Sequence, residues 1–169
     1  DPTFKIAASA GDKETDIKFA SNDKDVASVS ADGTITVGKV GTAKITVSMD
    51  ESQNYLAVAK EVTVTVVPKE VTVTPNDASK VYGDKDGKLS YCADGLVGDD
   101  TLSDITLARA EGENVGTYDI TASEKKDANP NYSVKFNKGT FTITQKEIGL
   151  NWTDTKLTYN GKDQLPKAE

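Results

Sequence analysis

The sequence contains no histidine, and this absence removes several kinds of site at once. Without an imidazole the chain can form neither a Ser-His-Asp triad, nor a Cys-His pair, nor a histidine metal site. It has one cysteine, Cys92, so no disulfide can form within the chain. We therefore expect no catalytic residue, no cofactor-binding residue and no metal ligand, and we predict that the chain is not an enzyme.

Aromatic residues and long apolar runs are also scarce. Aromatics make up 7% of the 169 residues and hydrophobic residues 36%, which allows only small cores, as in sandwiches of roughly 70–100 residues. No apolar stretch reaches the roughly 18–20 residues that a membrane-spanning helix needs. The net charge of −7 disfavours nucleic acid and anionic lipid, because both would be repelled. We expect one or two small domains without nucleic-acid or membrane contact.

The two ends of the sequence carry no recognisable targeting signal. The chain opens with Asp1-Pro2 instead of a methionine, and its strand pattern breaks off at Glu169. We therefore expect the chain to be a fragment of a longer protein, and the missing signals have no weight.

Two runs of alternating valine and threonine, at residues 61–67 and 70–74, flank Pro68. Alternation with a period of two is typical of half-buried strands. Proline has no amide proton to donate to a β-ladder, so we predict two strands instead of one continuous strand. A boundary at this proline ends the first part of the chain at residue 68, and the internal repeat described below divides the rest into 69–146 and 147–169.

Short alternating runs separated by turn signals fill the first part. Asp32-Gly33 is the strongest hairpin signal and leads into an alternating run at residues 34–37. Residues 43–49 place four apolar side chains on one face. No stretch shows a sustained helical period, so we predict an all-β chain of tandem small β-sandwich domains placed end to end.

Three segments of the first part belong together. They are Phe19-Ala20-Ser21-Asn22-Asp23-Lys24-Asp25-Val26-Ala27-Ser28-Val29, Asp32-Gly33-Thr34-Ile35-Thr36-Val37 and Gly41-Thr42-Ala43-Lys44-Ile45-Thr46-Val47. They resemble the bacterial Ig-like domains of group 2. The resemblance implies a β-sandwich of the kind found in bacterial surface proteins and adhesins.

Four segments of the second part form another set. They are Ser79-Lys80-Val81-Tyr82-Gly83-Asp84, Gly95-Leu96-Val97-Gly98-Asp99, Gly112-Glu113-Asn114-Val115-Gly116-Thr117-Tyr118 and Asn131-Tyr132. They resemble the MBG domain of the Tyr-Gly-X type, which occurs in repeat arrays of bacterial surface proteins and brings no known catalytic residues. We predict a sandwich; a β-grasp with a short helix at 101–104, capped by Asp99 or Asp100, is the alternative.

The chain repeats within itself. Lys69-Glu70-Val71 recurs as Lys146-Glu147-Ile148, Asn54-Tyr55 as Asn131-Tyr132 and Tyr82 as Tyr159, and the difference in residue number is the same in all three cases. Gly41-Thr42-x-x-Ile45-Thr46-x-Ser48 recurs at nearly the same spacing as Gly116-Thr117-x-x-Ile120-Thr121-x-Ser123. A spacing shared by separate segments indicates tandem units joined by short linkers.

By this repeat spacing, residues 147–169 open a third unit. We predict a first strand containing Ile148, Leu150 and Trp152, and a following segment that begins with Leu157 and Tyr159. Because two strands alone bury little surface, this segment should be frayed or should borrow cover from elsewhere. Trp152 should be at least partly exposed.

Acidic residues offer two weak candidates for a site. Asp99-Asp100 is the best carboxylate pair for glycosidase chemistry, but adjacent strand residues point to opposite faces, so we interpret the pair as a loop cap. Asp84-x-Asp86-Gly87 has the beginning of a calcium loop. Its twelfth residue is Gly95 instead of the glutamate that an EF-hand needs, so we interpret it as a solvated turn.

Tyrosines and the lone cysteine are the remaining candidates. Exposed aromatic rings could stack on a sugar, and the candidates are Tyr55, Tyr82, Tyr118 and Tyr132. Because three of them lie at repeated positions, we predict core or corner packing for them. We interpret Cys92 as a small core residue, since free cysteines are usually buried; a reactive thiol is the alternative.

Taken with the two resemblances, these patterns predict a non-catalytic structural or adhesive segment, a stalk or spacer, of a bacterial cell-surface or secreted protein. The alternatives are a binding module for host glycan or protein and an accessory segment of a secreted glycan-degrading enzyme. The expected partners are neighbouring domains of the same chain, and host or cell-wall glycan or protein reached through the parent protein.

Overall fold

The computed structural model describes residues 3–8, 16–153, 156–165 and 167–168, and these ranges contain strands, turns and irregular segments but no helix. The strands are β1 (Thr3–Lys5), β2 (Lys18–Ser21), β3 (Ala27–Val29), β4 (Thr34–Val37), β5 (Gly41–Met49), β6 (Val58–Val66), β7 (Lys69–Pro75), β8 (Ala78–Val81), β9 (Tyr91–Asp94), β10 (Ile105–Arg109), β11 (Gly116–Glu124), β12 (Tyr132–Phe136), β13 (Gly139–Thr144), β14 (Trp152–Thr153) and β15 (Lys167–Ala168). The predicted all-β class is confirmed.

Strands β1–β6 form unit 1, a sandwich of two antiparallel sheets. The strand orders are β1–β4–β3 and β2–β5–β6. Both sheets contribute to one core, which contains Val26, Ala27, Ile35, Ala43, Ile45 and Val64. The alternating residues of each strand thus place their apolar side chains between the sheets, as a period of two predicts.

The Asp32-Gly33 turn joins β3 to β4 as predicted. Gly33 has a φ of +81°, and a Cβ at this position would lie 2.9 Å from Cζ of Phe19, so the turn requires glycine. Asp32 accepts hydrogen bonds from the hydroxyl groups of Ser30 and Thr34. These bonds hold the pKa of Asp32 far below its usual value.

Strands β7–β13 form unit 2, also a sandwich of two sheets. The strand orders are β12–β7–β9 and β10–β11–β13–β8. Two pairings are parallel, β12 with β7 and β13 with β8. Both sheets again supply the fully buried side chains, which are Val71, Val73, Ile120, Phe141 and Ile143.

The short helix considered for residues 101–104 does not form, so the β-grasp alternative is wrong. Asp104 has a φ of +52°, which lies outside the right-handed helical region. Asp100 does not cap a helix, because its amide donates to the carbonyl of Val97 at 3.0 Å and closes a turn.

The joint between the units is short. Strand β6 ends at Val66 and β7 begins at Lys69, so that Val67 and Pro68 connect them. The two strands lie in different sheets, in agreement with the two strands predicted on either side of the proline. A connection of this length leaves little slack between the units.

The sequence repeat has a structural counterpart in β5 and β11. Both strands are nine residues long and begin at a glycine, Gly41 with φ +154° and Gly116 with φ +155°. Gly41 pairs with Val66 and Gly116 pairs with Ile143, each pair antiparallel. The same backbone arrangement therefore occurs in both units.

Cys92 is exposed, so its predicted place in the core is wrong. On β9 the inward-facing residues are Tyr91 and Ala93, and Cys92 lies between them on the outer face. Its Sγ lies 3.1 Å from Oδ1 of Asn76. Because strand side chains alternate, a residue next to an inward-facing tyrosine points away from the core.

Residues beyond β13 do not form the strand predicted through Ile148 and Leu150. These side chains are 86% and 72% exposed, and β14 begins only at Trp152, where it pairs with β15. Leu157 and Tyr159 are also exposed, at 44% and 94%. A two-stranded ladder has no second layer to cover these residues. The side chain of Trp152 lies outside the described residues.

Candidate functional site

A groove of about 340 Å³ lies where unit 1 meets unit 2. Its unit 1 wall is apolar and includes Val37, Val40 and Val66. Its unit 2 wall is mostly polar and includes Asp100, Asn131 and Tyr132, with Val97 as the apolar member. The groove brings together two members of the predicted motifs, Asp100 and the Asn131-Tyr132 pair, which lie far apart in the sequence.

Asn131 binds both units at this joint. Its Oδ1 accepts a hydrogen bond of 3.1 Å from the amide of Val40, which precedes β5 in unit 1. Its carbonyl accepts one of 3.0 Å from the amide of Lys69, the first residue of β7. One asparagine therefore connects the loop of unit 1 to the strand that opens unit 2.

Tyr132 supports this contact from within unit 2. Its hydroxyl group donates to the carboxylate of Asp100 and accepts a hydrogen bond of 3.2 Å from the amide of Val97. The carboxylate of Asp100 raises the pKa of Tyr132, because it stabilises the protonated hydroxyl. The tyrosine thus holds the turn at residues 97–100 beside the joint.

An ion-pair cluster lies on the second sheet of unit 2, away from the joint. Lys80 and Arg109 are nearly enclosed, with side chains 5% and 11% exposed. Nζ of Lys80 lies 2.6 Å from Oδ1 of Asp86, and both cations also contact Glu113. Arg109 and Lys80 lower the pKa of Asp86 to about 2, and Lys80 and Arg109 also lower the pKa of Glu113.

Besides its ion pairs, Arg109 contacts two aromatic rings. Its Cζ lies 5.0 Å from the ring centre of Phe141 and 5.5 Å from that of Tyr118, within cation–π range. Its Nη1 donates to the carbonyl of Gly112 at 2.6 Å. Gly112 has a φ of +140°, and a Cβ there would lie 2.3 Å from the Tyr118 ring, so only glycine fits. The cluster therefore fixes two loops onto the core.

The tyrosine candidates divide into two groups. Tyr118 packs against the core of unit 2 and donates to the carbonyl of Asn114 at 2.7 Å. Tyr132 is half-buried and holds the turn at residues 97–100, which is a corner role. Tyr55 and Tyr82 are 51% and 49% exposed, so the predicted core or corner packing is wrong for these two.

The acidic candidates do not assemble into a catalytic pair or a calcium loop. Asp100 lies in the joint groove, while Asp99 points to solvent. Asp86 is bound by Lys80 and Arg109 instead of sharing a site with Asp84. In the described ranges no three acidic or cysteine side chains converge where a metal could bind.

We predict that calcium does not bind this chain. Millimolar calcium should leave the melting temperature unchanged in a thermal scan, with magnesium as the control cation. A ligand that binds only the native state must stabilise it. A rise of several degrees that saturates at micromolar calcium would contradict the prediction.

Lys80 and Arg109 were not found from the sequence, although a signal was present. On β10, Ile105 and Leu107 point inward with Arg109, and on β8, Ala78 points inward with Lys80. A cation at the inward position of an alternating strand needs carboxylate partners, because burial of an unpaired charge is costly.

No helix in the described part is long and apolar enough to cross a membrane.

Comparisons with known proteins bear on both units. Residues 5–62 match the family described as bacterial Ig-like domain (group 2), and residues 71–142 match the family described as MBG domain (YGX type). The predicted domain types and their order are confirmed. The comparison with curated proteins gave no match.

Solved structures of surface-layer proteins show low similarity. The crystal structure of the S-layer protein rSbsC(31-844) is 18% identical, with a TM-score of 0.37 over 82% of this chain and 21% of that chain. Domains 4 and 5 of the S-layer protein SbsC are 19% identical, with a TM-score of 0.32 over 76% of this chain and 70% of that chain. This chain thus spans about a fifth of the first structure.

Proposed function

Because the chain carries a bacterial Ig-like domain of group 2 followed by an MBG domain of the YGX type, we propose that it is a non-catalytic structural segment of a bacterial cell-surface or secreted multidomain protein. It acts as a stalk or spacer that holds the parts of the parent protein at a set distance. Contact with host or cell-wall glycan or protein belongs to the parent chain.

The observation that carries this proposal is the joint. A two-residue connection brings the units close, and Asn131 then binds the Val40 amide of one unit and the Lys69 amide at the start of the other. The Lys69 bond fixes Asn131 within unit 2, and the Val40 bond crosses the joint beside the short linker and opposes bending and rotation. A spacer needs this property, because a flexible joint would let the distance between its ends fluctuate.

Two nitroxide labels test the rigidity of the joint. One is attached to Cys92, which is exposed, and the other to Thr63→Cys, at an outward position of β6. We expect double electron–electron resonance spectroscopy to give one narrow distribution of distances between the two labels. Asn131→Ala should broaden it, because that change removes the acceptor for the amide of Val40.

Asn137→Ala is the matched control. Asn137 is an exposed asparagine of unit 2 whose side chain bonds Thr74 at 3.0 Å, within the same unit. Its loss should leave the distance distribution unchanged. A broad distribution while Asn131 is still present would contradict the proposal of a rigid spacer.

A binding module is the second candidate, and one turn of unit 1 favours it. Tyr55 and Leu56 are 51% and 88% exposed, side by side. An aromatic ring beside an aliphatic side chain suits a sugar ring or an apolar peptide. An array of host and cell-wall glycans should then retain the chain, and Tyr55→Ser should abolish retention. Equal retention of both proteins would contradict this second function.

A further inference from the structure

The end of unit 2 at Val115 is built like the end of unit 1 at Val40, the end that forms the joint. Val40 directly precedes Gly41, the first residue of β5 in unit 1, and Val115 directly precedes Gly116, the first residue of β11 in unit 2; a threonine follows each glycine. In unit 1, Gly41 pairs with Val66, and a lysine, Lys69, follows three residues later. In unit 2, Gly116 pairs with Ile143, and Lys146 follows at the same distance.

In unit 1 this end is covered by unit 2. The Val40 amide donates to Asn131, and Val40 lines the joint groove together with Tyr132. The corresponding end of unit 2 is open. Val115 is 50% exposed, and within the described part of the chain its amide has no hydrogen-bond acceptor.

Tyr82, Val115, Gln145, Lys146 and Ile148 surround an open groove here, which we call the distal groove. Three of these side chains are apolar or aromatic: Tyr82, Val115 and Ile148 are 49%, 50% and 86% exposed. A cluster of exposed apolar groups beside a free backbone donor is a typical docking surface.

Ile148 indicates what should cover the groove. By the repeat spacing it corresponds to Val71, which is 1% exposed in the core of unit 2. Likewise Leu150, 72% exposed, corresponds to Val73, which has no exposed surface. Directly at the distal groove the chain thus carries the first-strand pattern of another unit, and among the residues that the structure describes no sheet buries it.

We propose that the distal groove is the docking surface for a further unit of the MBG type. The counterpart of Asn131 in that unit accepts the hydrogen bond of the Val115 amide, and the counterpart of Tyr132 lies over Val115 and Tyr82. Ile148 leaves the groove and enters the core of the docked unit, as Val71 does in unit 2. This inference rests on the proposed spacer function and adds the place and partner of the next joint.

The test uses a longer chain in which residues 146–169 are replaced by a second copy of residues 69–145. Each copy then contains its own exposed Cys92, so two nitroxide labels can be attached without new cysteines. We expect a narrow distance distribution between them. Asn131→Ala in the second copy, or Val115→Asp in the first, should broaden it to that of a flexible tether.

The fold of the added copy is checked first by an NMR spectrum of its backbone amides, whose signals should match those of unit 2. A narrow distribution that neither variant changes, or a broad one in the unaltered longer chain, overturns the inference. An added copy that stays unfolded does so too, since a docked unit must be folded. The distance across the first joint, measured separately in the original chain, shows whether the spacer function has failed as well.

A second measurement uses the original chain itself. Val115→Asp should leave its melting temperature unchanged, because a docking residue without its partner contributes little to the fold. Val64→Asp, at an 8% exposed position of unit 1, is the control that should destabilise its unit. A clear fall in the melting temperature of unit 2 with Val115→Asp would show that Val115 belongs to the packing of unit 2 and would overturn the inference.

Discussion

Replacing Phe141 with alanine is expected to lower the free energy of unfolding of unit 2 by about 3–5 kcal/mol, the usual cost of truncating a buried phenylalanine. Phe141 is 1% exposed and forms a core cluster with Ile120 and Ile143. Its ring also lies below the guanidinium group of Arg109. Domains of this size have total stabilities of about 5–15 kcal/mol, so the variant should come close to unfolding.

Amide signals followed through a urea series measure this effect separately for each unit. Signals of Ile35 and Ile45 report unit 1, and those of Val73 and Ile120 report unit 2. Only the unit 2 midpoint should fall, because the cores are separate. Phe136→Ala is the control: Phe136 is 37% exposed, so its loss should cost clearly less. An equal fall in both units would show that they unfold together.

The strands and their inward faces could be predicted from alternation. Val71 and Val73 share one face of β7 by their spacing, and both are buried. The same holds for Ala43 and Ile45 on β5. Hydrophobic alternation determines which side of a strand faces the other sheet, and this needs no knowledge of the partner strand.

Pairing between distant strands could not be predicted in the same way. The parallel pairs of β7 with β12 and of β8 with β13 join segments from opposite ends of unit 2. Alternation places an apolar face inward, but it does not determine which strand lies beside it. The hydrogen bond between Asn131 and Val40 depends on this arrangement too. The sequence repeat therefore indicates that Asn131 has a structural role, but it does not predict that Val40 is its partner.

Two mistakes arise from giving residue type more weight than strand position. The core interpretation of Cys92 rests on the usual burial of cysteine, although its neighbour Tyr91 occupies the inward position. Inward packing is not predicted for Arg109 because arginine is usually exposed, although its spacing from Leu107 places it on the inward face. In both cases the alternation of the strand is the better predictor.

Removing the carboxylate of Asp86 is expected to destabilise unit 2 more than neutralising either Glu113 or Lys80 of the ion-pair cluster. Asp86→Ala leaves Lys80 and Arg109 nearly enclosed with only Glu113 to balance two positive charges. An enclosed charge without a partner is costly, whereas Lys80→Met removes a charge and keeps the apolar stem. The melting temperature of unit 2 should therefore fall most for Asp86→Ala, less for Glu113→Gln and least for Lys80→Met.

The pH dependence of the melting temperature tests the same cluster independently. Arg109 and Lys80 hold the pKa of folded Asp86 at about 2, against 3.8 for an ordinary aspartate. A lowered pKa means that the ionised carboxylate stabilises the fold above pH 3.8, and that this contribution is lost as the pH falls towards 2. Glu113, whose pKa is also lowered, adds a loss that begins near 4.5. Unit 2 should thus melt at progressively lower temperature in acid, and Asp86→Ala should flatten this slope. An equal slope in the variant would mean that Asp86 is not held by the two cations in solution.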